Sequence, residues 1–375
     1  MNLEALSPDY VRNFQAYLPS PPDHILQQEY SVPFLYRLNN NENPLGPPPA
    51  AARIIAAFLP ERAACYPNGD SYDLRQALGY RTGIAPDRFL VGGGSCEVIA
   101  SVIKAFCEAG DNIITADKTF AVYEWVAGFS GIEVRLVPLL DYAFDPQAML
   151  ERIDARTKII FVCNPNNPTG SYWTRQVLID FLEKAGDNRI VVVDEAYREY
   201  VQAPEYPDAI SLMSRFPNLV SFRTFSKMYA LAGLRVGYLA GNNAVVDLVR
   251  RASIAYSVNV QAQEAALAAL SDDHEHINAT CALVREAKAF LLDVCDNLAL
   301  ETVSGEGNYL MIRVPINDLM MYRRLMKRSM MVRSMTGFRF PGWIRVTMRE
   351  KCVMELFAEA LHAEILSIRM KQKVI

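Results

Sequence analysis

Hydrophobic and polar residues alternate along much of the chain in a pattern that predicts strands separated by helices. Six short runs rich in β-branched and aromatic residues predict strands, at residues 89–91, 112–115, 134–139, 158–163, 189–193 and 219–222. Apolar residues at helical spacing between several of these runs, notably over 98–107 and 175–184, predict helices. Because strands and helices alternate, we expect βαβ crossovers and a mainly parallel, buried sheet.

The two ends of the chain show different patterns. Prolines between positions 19 and 22 exclude a continuous helix in the opening segment, which we interpret as an arm. Beyond residue 238 the pattern predicts long helices, then a few strands and a last helix, at 244–252, 262–270, 276–298, 309–314, 330–333, 343–348 and from 350. We therefore expect an N-terminal arm (1–45), a large domain (46–270) and a smaller α+β domain (271–375).

Length and charge narrow the classes of function. A chain of 375 residues, half of them hydrophobic, can fill one large core and a smaller companion. The net charge of -4 gives no overall attraction to nucleic acid or to an anionic membrane. No secretory leader pattern and no apolar run of about 18 residues is found. These features predict a cytoplasmic protein that acts on small molecules, without nucleic-acid or membrane partners.

The cysteines and histidines suggest no metal site and no disulfide framework. Seven cysteines are scattered, odd in number and never spaced as Cys-x-x-Cys. His274 and His276 form the only close pair among four histidines, in an acidic stretch over 271–276. We interpret that stretch as a solvated turn and therefore expect no metal site.

Candidate chemistry follows three consecutive predicted strands. Strand 158–163 runs into a turn that contains Asn167, strand 189–193 into Asp194, and strand 219–222 into a segment that contains Lys227. Open α/β sheets bind ligands beyond the carboxyl ends of their strands, so these side chains could converge. Taken singly, each has a structural explanation: a strand-ending turn, a helix cap and a surface Ser-Lys pair.

A glycine run adds a fourth feature at the same edge. Gly92, Gly93 and Gly94 follow a predicted strand and open a helix, which offers free backbone N–H groups to a phosphate. Glu97 stands where a dinucleotide fingerprint needs a small residue, and no Gly-Lys-Ser/Thr follows. Signatures of serine hydrolases, zinc proteases and kinases are missing as well. The sequence thus favours a phosphorylated ligand smaller than a dinucleotide.

Three segments, 164–170 (NPNNPTG), 194–197 (DEAY) and 224–238 (TFSKMYALAGLRVGY), resemble the class I/II aminotransferases of the pyridoxal 5′-phosphate (PLP) fold type I. Segments 38–48, 66–67 and 94–111 are similar to the histidinol-phosphate aminotransferase branch. The resemblance implies an α/β large domain with a mainly parallel central sheet flanked by helices, a smaller α+β domain, and PLP as cofactor.

The resemblance also implies roles for residues around the cofactor ring. Lys227 would hold PLP as a Schiff base and later move the substrate's Cα proton. Asp194 would pair with the protonated pyridine nitrogen and so keep the ring an electron sink. Asn167 and Tyr197 would hydrogen-bond the phenolic oxygen, and Phe120 would stack on the ring.

For the cofactor phosphate, the resemblance implies binding by the backbone at Ser95 and Cys96, by the hydroxyls of Thr224 and Ser226, and by Arg235. A helix N-terminus and a guanidinium would then face two negative charges, which is a strong and geometrically defined arrangement.

Other implied residues concern the partner subunit and the substrate. Tyr66 resembles a tyrosine that reaches the phosphate from a neighbouring subunit, which implies a homodimer with shared active sites. Arg345 resembles the arginine that binds the substrate α-carboxylate. Asn308, Asn43 and Tyr17 resemble other residues of the substrate pocket.

The expected reaction is ping-pong transfer of an amino group to a 2-oxo acid, from histidinol phosphate or an aromatic or related amino acid. Cys96 departs from that branch, which often has an acidic residue there, and so does the 347–349 segment, where glycine is usual. Arg333 and Arg339 would supply positive charge near the pocket.

Two kinds of alternative function stay open. One is a PLP-dependent decarboxylase, cyclase or β-replacing enzyme of the same fold, because reaction choice depends on the geometry at Cα. The other is a PLP-binding regulator, which would need a DNA-binding module that residues 1–36 are too short and proline-rich to provide. Retention of Lys227, Asp194 and Arg235 argues against a catalytically inactive relative.

Overall fold

The computed structural model describes residues 3–16, 20–271 and 273–372. Its α-helices, in chain order, are α1 Asp9–Arg12, α2 Asp23–Tyr30, α3 Pro49–Ala56, α4 Pro60–Ala63, α5 Tyr72–Thr82, α6 Ser95–Phe106, α7 Val122–Phe129, α8 Pro146–Glu151, α9 Arg175–Ala185, α10 Ala209–Leu212, α11 Asn243–Ala252, α12 Val260–Ser271, α13 His274–Asn297, α14 Asp318–Met326 and α15 Lys351–Gln372. Short 3-10 helices occupy Leu3–Leu6, Pro86–Arg88, Arg198–Tyr200, Ala232–Leu234 and Thr336–Phe338.

The strands are β1 Tyr36–Arg37, β2 Phe89–Gly92, β3 Asn112–Ala116, β4 Glu133–Val137, β5 Thr157–Cys163, β6 Ile190–Asp194, β7 Leu219–Thr224, β8 Gly237–Ala240, β9 Thr302–Val303, β10 Tyr309–Arg313, β11 Met330–Met331, β12 Arg333–Ser334 and β13 Trp343–Thr347. Each of the six predicted strands of the first part of the chain is present. Their bounds differ by a few residues from the prediction.

A seven-stranded sheet in the order β2-β8-β7-β6-β5-β3-β4 forms the centre of the molecule. β3 pairs in parallel with β4 and β5, β5 with β6, and β6 with β7. β8 runs antiparallel to both of its neighbours, so the sheet is mainly parallel, as predicted. All residues of β3, β6 and β7 are buried, which is typical of a sheet covered by helices on both faces.

A second, antiparallel sheet in the order β12-β13-β10-β9 lies in the C-terminal part of the chain. A two-residue parallel ladder between β1 and β11 ties the N-terminal arm to this part. The tie continues where the Thr347 N–H donates to the Leu38 carbonyl at 2.9 Å. The arm is thus bonded along its backbone to the C-terminal segment, which brings residues 39–42 close to β13.

Several elements after residue 236 differ from the sequence prediction, including β9 and α14, which were not predicted. β8 was not predicted, because four residues, Gly237–Ala240, give too short a pattern beside the following helices. The strand expected over 330–333 is two strands in different sheets, β11 and β12, since the chain leaves one ladder and joins the other at Val332. This change of sheet places Arg333 opposite Arg345 of β13.

The stretch over 271–276 is not a solvated turn in its described residues. Asp273 is buried, accepts a hydrogen bond from the Tyr229 hydroxyl at 2.8 Å and pairs with Arg81 at 2.7 Å. A ring nitrogen of His276 lies 2.9 Å from the Met228 carbonyl oxygen. The first turn of α13 therefore supports residues 228–229, directly after Lys227.

No helix within the described ranges is long and apolar enough to cross a membrane.

Candidate active site

The carboxyl ends of β5, β6 and β7 open onto a cavity of about 610 Å³. Ten of the residues expected to bind the cofactor line it: Ser95, Cys96, Phe120, Asn167, Asp194, Tyr197, Thr224, Ser226, Lys227 and Arg235. They come from five separate stretches of the chain, and the parallel order of β5, β6 and β7 is what brings three of those stretches side by side.

Lys227 lies in the turn after β7 with its amine in the cavity. The Nζ atom donates a hydrogen bond to the Asn40 carbonyl at 2.7 Å, and it lies 5.8 Å from the centre of the Tyr197 ring. Burial, together with the nearby charge of Arg345, lowers the pKa of the Lys227 amine to about 8. A larger fraction of this amine is therefore neutral, and able to attack a carbonyl carbon, than for an ordinary lysine near neutral pH.

Asp194 ends β6 as a buried carboxylate. Its Oδ2 atom accepts a hydrogen bond from the Tyr123 hydroxyl at 2.5 Å, and Oδ1 accepts one from the Ala196 N–H at 3.1 Å. Burial raises the pKa of the Asp194 carboxyl to about 6. Among the described residues no basic side chain forms an ion pair with it, so a cationic group in the cavity would find an unneutralised carboxylate there.

A compact cradle for an anion lies at the N-terminus of α6. Gly94, at φ +88°, precedes Ser95, the first residue of that helix. The positive φ favours glycine at this position, and a Cβ atom on Gly94 would lie 2.5 Å from Nη2 of Arg235 and displace the guanidinium. Ser95 and Cys96 at this helix N-terminus line the cavity together with Thr224, Ser226 and Arg235, which adds two hydroxyls and one guanidinium to the backbone N–H groups.

The opposite side of the cavity is organised by hydrogen bonds from the N-terminal arm. Asn41 donates from Nδ2 to the Tyr197 hydroxyl at 2.9 Å. Arg345 donates to the Asn167 side-chain carbonyl, and from Nη2 to the Asn39 carbonyl at 2.7 Å. Burial raises the pKa of the Tyr197 hydroxyl to about 12, so this group is a hydrogen-bond donor at neutral pH.

Arg333 and Arg345 stand opposite each other on β12 and β13. The guanidinium carbons of Arg333 and Arg345 lie 5.8 and 5.6 Å from the centre of the Phe338 ring. Neither arginine forms an ion pair with a carboxylate within the described part of the chain. Like charges at directly opposed positions destabilise a sheet, so this pair favours an anionic ligand between them.

Three residues expected from the resemblance, Asn43, Asn308 and Tyr66, are not part of the cavity wall in the described part of the chain. Asn43 uses its amide to bind the Met228 carbonyl at 2.7 Å and the Thr280 hydroxyl at 3.1 Å, and Asn308 donates to the carbonyl of Asn41 at 3.1 Å. Tyr66 lies elsewhere, on the surface, and Tyr17 falls outside the described residues. Within this chain Asn43 and Asn308 hold neighbouring backbone in place and do not line the pocket.

Sequence reasoning missed several residues that the structure brings to the site. Asn40, Asn41 and Trp125 line the cavity, and Tyr123 binds Asp194 from behind. Tyr123 lies in the first turn of α7, and its ring lies 5.6 Å from that of Phe120, a contact that the sequence does not reveal because Phe120 precedes the helix. Asn41 could not be told from Asn40 or Asn43 in a run of asparagines.

The cavity is that of an enzyme that holds a phosphorylated, cationic ring beside a reactive lysine. A model of the aminotransferase class I and II family matches residues 35–361. Histidinol-phosphate aminotransferase from Symbiobacterium thermophilum is 37% identical over 355 residues, 95% of this chain and 97% of the relative. The enzyme of that name from Halalkalibacterium halodurans is 35% identical over 335 residues, 89% and 90% of the two chains. The chain belongs to the class I and II aminotransferase family.

Solved structures show the same fold. Histidinol-phosphate aminotransferase from Sinorhizobium meliloti, in complex with pyridoxal-5′-phosphate, superposes with a TM-score of 0.86 at 22% identity and 98% coverage of each chain. A mutant of Thermus thermophilus aspartate aminotransferase superposes with a TM-score of 0.81 at 22% identity, and the match covers 95% of this chain and 99% of the mutant's chain. The chain therefore has PLP fold type I, and since two enzymes with different names match nearly equally, the fold does not select a substrate.

The enzyme is a PLP-dependent aminotransferase, and its cavity fits that cofactor on three counts. The Lys227 amine has a lowered pKa, as carbonyl attack requires. The Asp194 carboxylate is buried without a cationic partner among the described residues, where a pyridinium would supply one. Gly94 leaves space beside Arg235 and the N-terminus of α6 for a phosphate.

Proposed function

We propose that this enzyme transfers the amino group of L-histidinol phosphate to a 2-oxo acid. The observation that carries this proposal is the pair of Arg333 and Arg345, opposed across two strands without a carboxylate partner in the described part of the chain. A phosphate monoester carries nearly two negative charges at neutral pH, so it matches two guanidinium groups better than a single carboxylate does. The relatives named histidinol-phosphate aminotransferase, at 35% and 37% identity, support the same substrate.

Roles of the chain's own residues follow from their places in the cavity. PLP, when bound, supplies an electron sink for the bonding electrons released at the substrate Cα. Lys227 would attach the cofactor, and its amine would take the proton from the substrate Cα and return a proton to complete the transfer. Asp194 would hold a proton on the ring nitrogen, and Tyr123 would keep that carboxylate oriented. Asn167 and Tyr197 would bind the phenolic oxygen.

The remaining cofactor contacts divide between ring and phosphate. Phe120 would pack against the ring. Ser95 and Cys96 would offer backbone N–H groups to the phosphate, which the side chains of Thr224, Ser226 and Arg235 would also bind.

Turnover of a set of amino donors tests the substrate proposal. We expect L-histidinol phosphate to give a higher kcat/KM than L-histidinol, L-phenylalanine or L-tyrosine with 2-oxoglutarate as acceptor. Replacing Arg333 by glutamine should raise KM for L-histidinol phosphate by roughly 10- to 100-fold, the value of a hydrogen bond between charged groups. KM for L-phenylalanine, which carries one negative charge, should rise much less.

Two results would oppose the substrate proposal. If L-phenylalanine has the higher kcat/KM, the enzyme is an aromatic aminotransferase. If R333Q raises KM equally for both donors, Arg333 does not recognise the second charge of the phosphate. The R333K variant serves as the matched control, because it keeps the charge and loses only the planar fork.

The proposed assembly is a homodimer in which each subunit completes the partner's site. Tyr66 is 85% exposed, and its ring lies 5.2 Å from that of Tyr256 on the rim of a surface depression of about 610 Å³. Exposed aromatic residues of this kind are typical of interface anchors. We assign Tyr66 to the phosphate of the partner's cofactor because its side chain is exposed and does not line the cavity of its own chain.

Hybrid dimers test the shared site. Co-expressed K227A and Y66F subunits with different tags form hybrids in which one site has both Lys227 and Tyr66 intact. At PLP concentrations too low to saturate Y66F, whose dissociation constant should rise about tenfold, the hybrid should be more active than either parent. Y80F, which alters another exposed tyrosine, is the control and should bind PLP normally. A monomer in sedimentation, or hybrids no more active than the parents, would contradict the shared site.

A further inference from the structure

An ion pair between Glu124 and Arg339 lies beside a small cavity next to the active site. Nη1 and Nη2 of Arg339 donate to the two carboxylate oxygens of Glu124 at 2.9 and 2.8 Å. Nη1 also donates to the Asp117 carbonyl at 2.8 Å. Glu124 lies on α7, in the proposed large domain, and Arg339 follows a 3-10 helix in the proposed small domain. The pair therefore joins two parts of the chain that are more than 200 residues apart.

The segment that carries Arg339 is anchored at both ends, bonded to Asp318 through Thr336 and bonded to α7 through Arg339. Met335 and Phe340 are buried in a small apolar cluster, whereas residues 336, 337 and 339 between them are exposed. Arg339 has φ +60°, a left-handed conformation that non-glycine residues rarely adopt without contacts to hold it. The bidentate bond to Glu124 is such a contact.

This segment forms a wall between two cavities. Gly337 and Phe338 line the active-site cavity and also a second one of about 170 Å³, which Arg339 and Glu124 border. Phe338 is half-buried: its ring packs against the buried cluster that contains Met335 and Phe340, and cavity space lies on two of its sides. On the active-site side the Phe338 ring lies within 6 Å of both guanidinium carbons, those of Arg333 and Arg345.

We infer that Glu124 and Arg339 form a latch that positions Phe338 over Arg333 and Arg345. The latch fixes the wall beside the two arginines and thereby the geometry in which the substrate's anionic group binds. Glu124 and Arg339 are positioning residues, because neither lines the active-site cavity. The inference goes beyond the proposed substrate, since any anionic donor would bind against the same wall.

A direct contact between Arg339 and the substrate is the competing explanation, and the two make opposite predictions for Glu124. If Arg339 bound the substrate, neutralising Glu124 would free the guanidinium and lower KM. If the pair is a latch, losing either partner releases Phe338 and raises KM. The E124Q variant therefore separates the two explanations.

The test uses the holoenzyme of E124Q, R339M and the double variant, with whichever of L-histidinol phosphate and L-phenylalanine the wild-type enzyme turns over. Failure of the substrate proposal thus leaves this test intact. For the latch, each single variant should raise KM about three- to fivefold, the range of a partly exposed ion pair, with a smaller change in kcat. The double variant should be no worse than either single variant, because both remove the same contact.

A second readout does not depend on turnover. Trp125 lines both cavities, and the other two tryptophans, Trp173 and Trp343, are buried, so acrylamide quenching of tryptophan fluorescence reports mainly on Trp125. Release of the wall should increase quenching in E124Q and R339M. The PLP dissociation constant should stay at the wild-type value, since the latch does not touch the cofactor residues.

R313M is the matched control. It removes an ion pair to Glu301 on the surface, at 2.7 Å, whose residues line neither cavity. R313M should leave KM and quenching unchanged. The inference is overturned if E124Q lowers KM, if the latch variants behave like R313M in both readouts, or if the effects of the two single substitutions add in the double variant.

Discussion

Replacing Lys227 by alanine is expected to abolish transamination, with a loss of about 10⁴-fold or more in kcat, because one amine both attaches the cofactor and moves the proton at Cα. The fold should be retained, since the Lys227 side chain is only half-buried and makes one hydrogen bond, to the Asn40 carbonyl. The measurements are single-turnover kinetics and the absorbance of the variant with added PLP, which should bind without covalent attachment.

Lys288 provides a matched control for this variant. Its amine also has a pKa lowered to about 8 by burial, and it donates to the Gly305 carbonyl at 2.5 Å, but it lies on α13 and does not line the cavity. K288A should keep its activity and its near-visible absorbance. Full activity in K227A, or equal losses in the two variants, would refute the role assigned to Lys227.

Replacing Asp194 by asparagine is expected to lower kcat by roughly 10²- to 10³-fold, because the carboxylate that holds a proton on the ring nitrogen is lost. The change keeps the shape of the side chain and an acceptor for the Ala196 N–H, so the effect reports on charge. The PLP dissociation constant should rise as well. Pre-steady-state kinetics and spectrophotometric titration with PLP give the two quantities.

The same substitution should have the opposite effect on the stability of the cofactor-free protein. Burial raises the pKa of the Asp194 carboxyl from 3.8 to about 6, so the folded protein binds this proton more tightly than the unfolded chain does. The free energy of unfolding of the wild type therefore falls as pH rises from about 4 to about 6 and stays lowered above that. D194N has no carboxyl group at this position, so its free energy of unfolding does not fall for this reason.

Urea unfolding of the cofactor-free proteins between pH 4 and 7 checks the sign. Relative to wild type, D194N should gain stability as pH rises and be the more stable protein at pH 7. If cofactor-free D194N is less stable than wild type at pH 7, Asp194 is a structural group and not a carboxylate kept for a cationic ring.

Local chain patterns were sufficient to predict most of the central sheet and the edge at which the candidate site lies, whereas the roles of the individual cofactor residues rest on the resemblance to a known family. Runs such as Val191, Val192 and Val193 before Asp194 give a strong strand signal, and the carboxyl ends of parallel strands necessarily share one edge. That is why Asn167, Asp194 and Lys227 could be placed together without a structure.

The substrate end could not be predicted in the same way, because it is built from long-range contacts. Arg345 binds the Asn39 carbonyl, 306 residues earlier in the chain, and it faces Arg333 only because the chain changes sheet between β11 and β12. Asn43 was expected in the pocket and Asn41 was not. The pairing of the arm with β13 decides which asparagine points inward, and no periodicity in the arm reveals that pairing.

The most direct test of the central claim is the absorbance spectrum of the purified protein after incubation with PLP, followed during additions of an amino donor and then of a 2-oxo acid. An aminotransferase that holds PLP on Lys227 should show a near-visible band that L-histidinol phosphate removes and the 2-oxo acid restores. A protein that acquires no such band with PLP, or whose band is lost with every donor and never restored by a 2-oxo acid, would contradict the account.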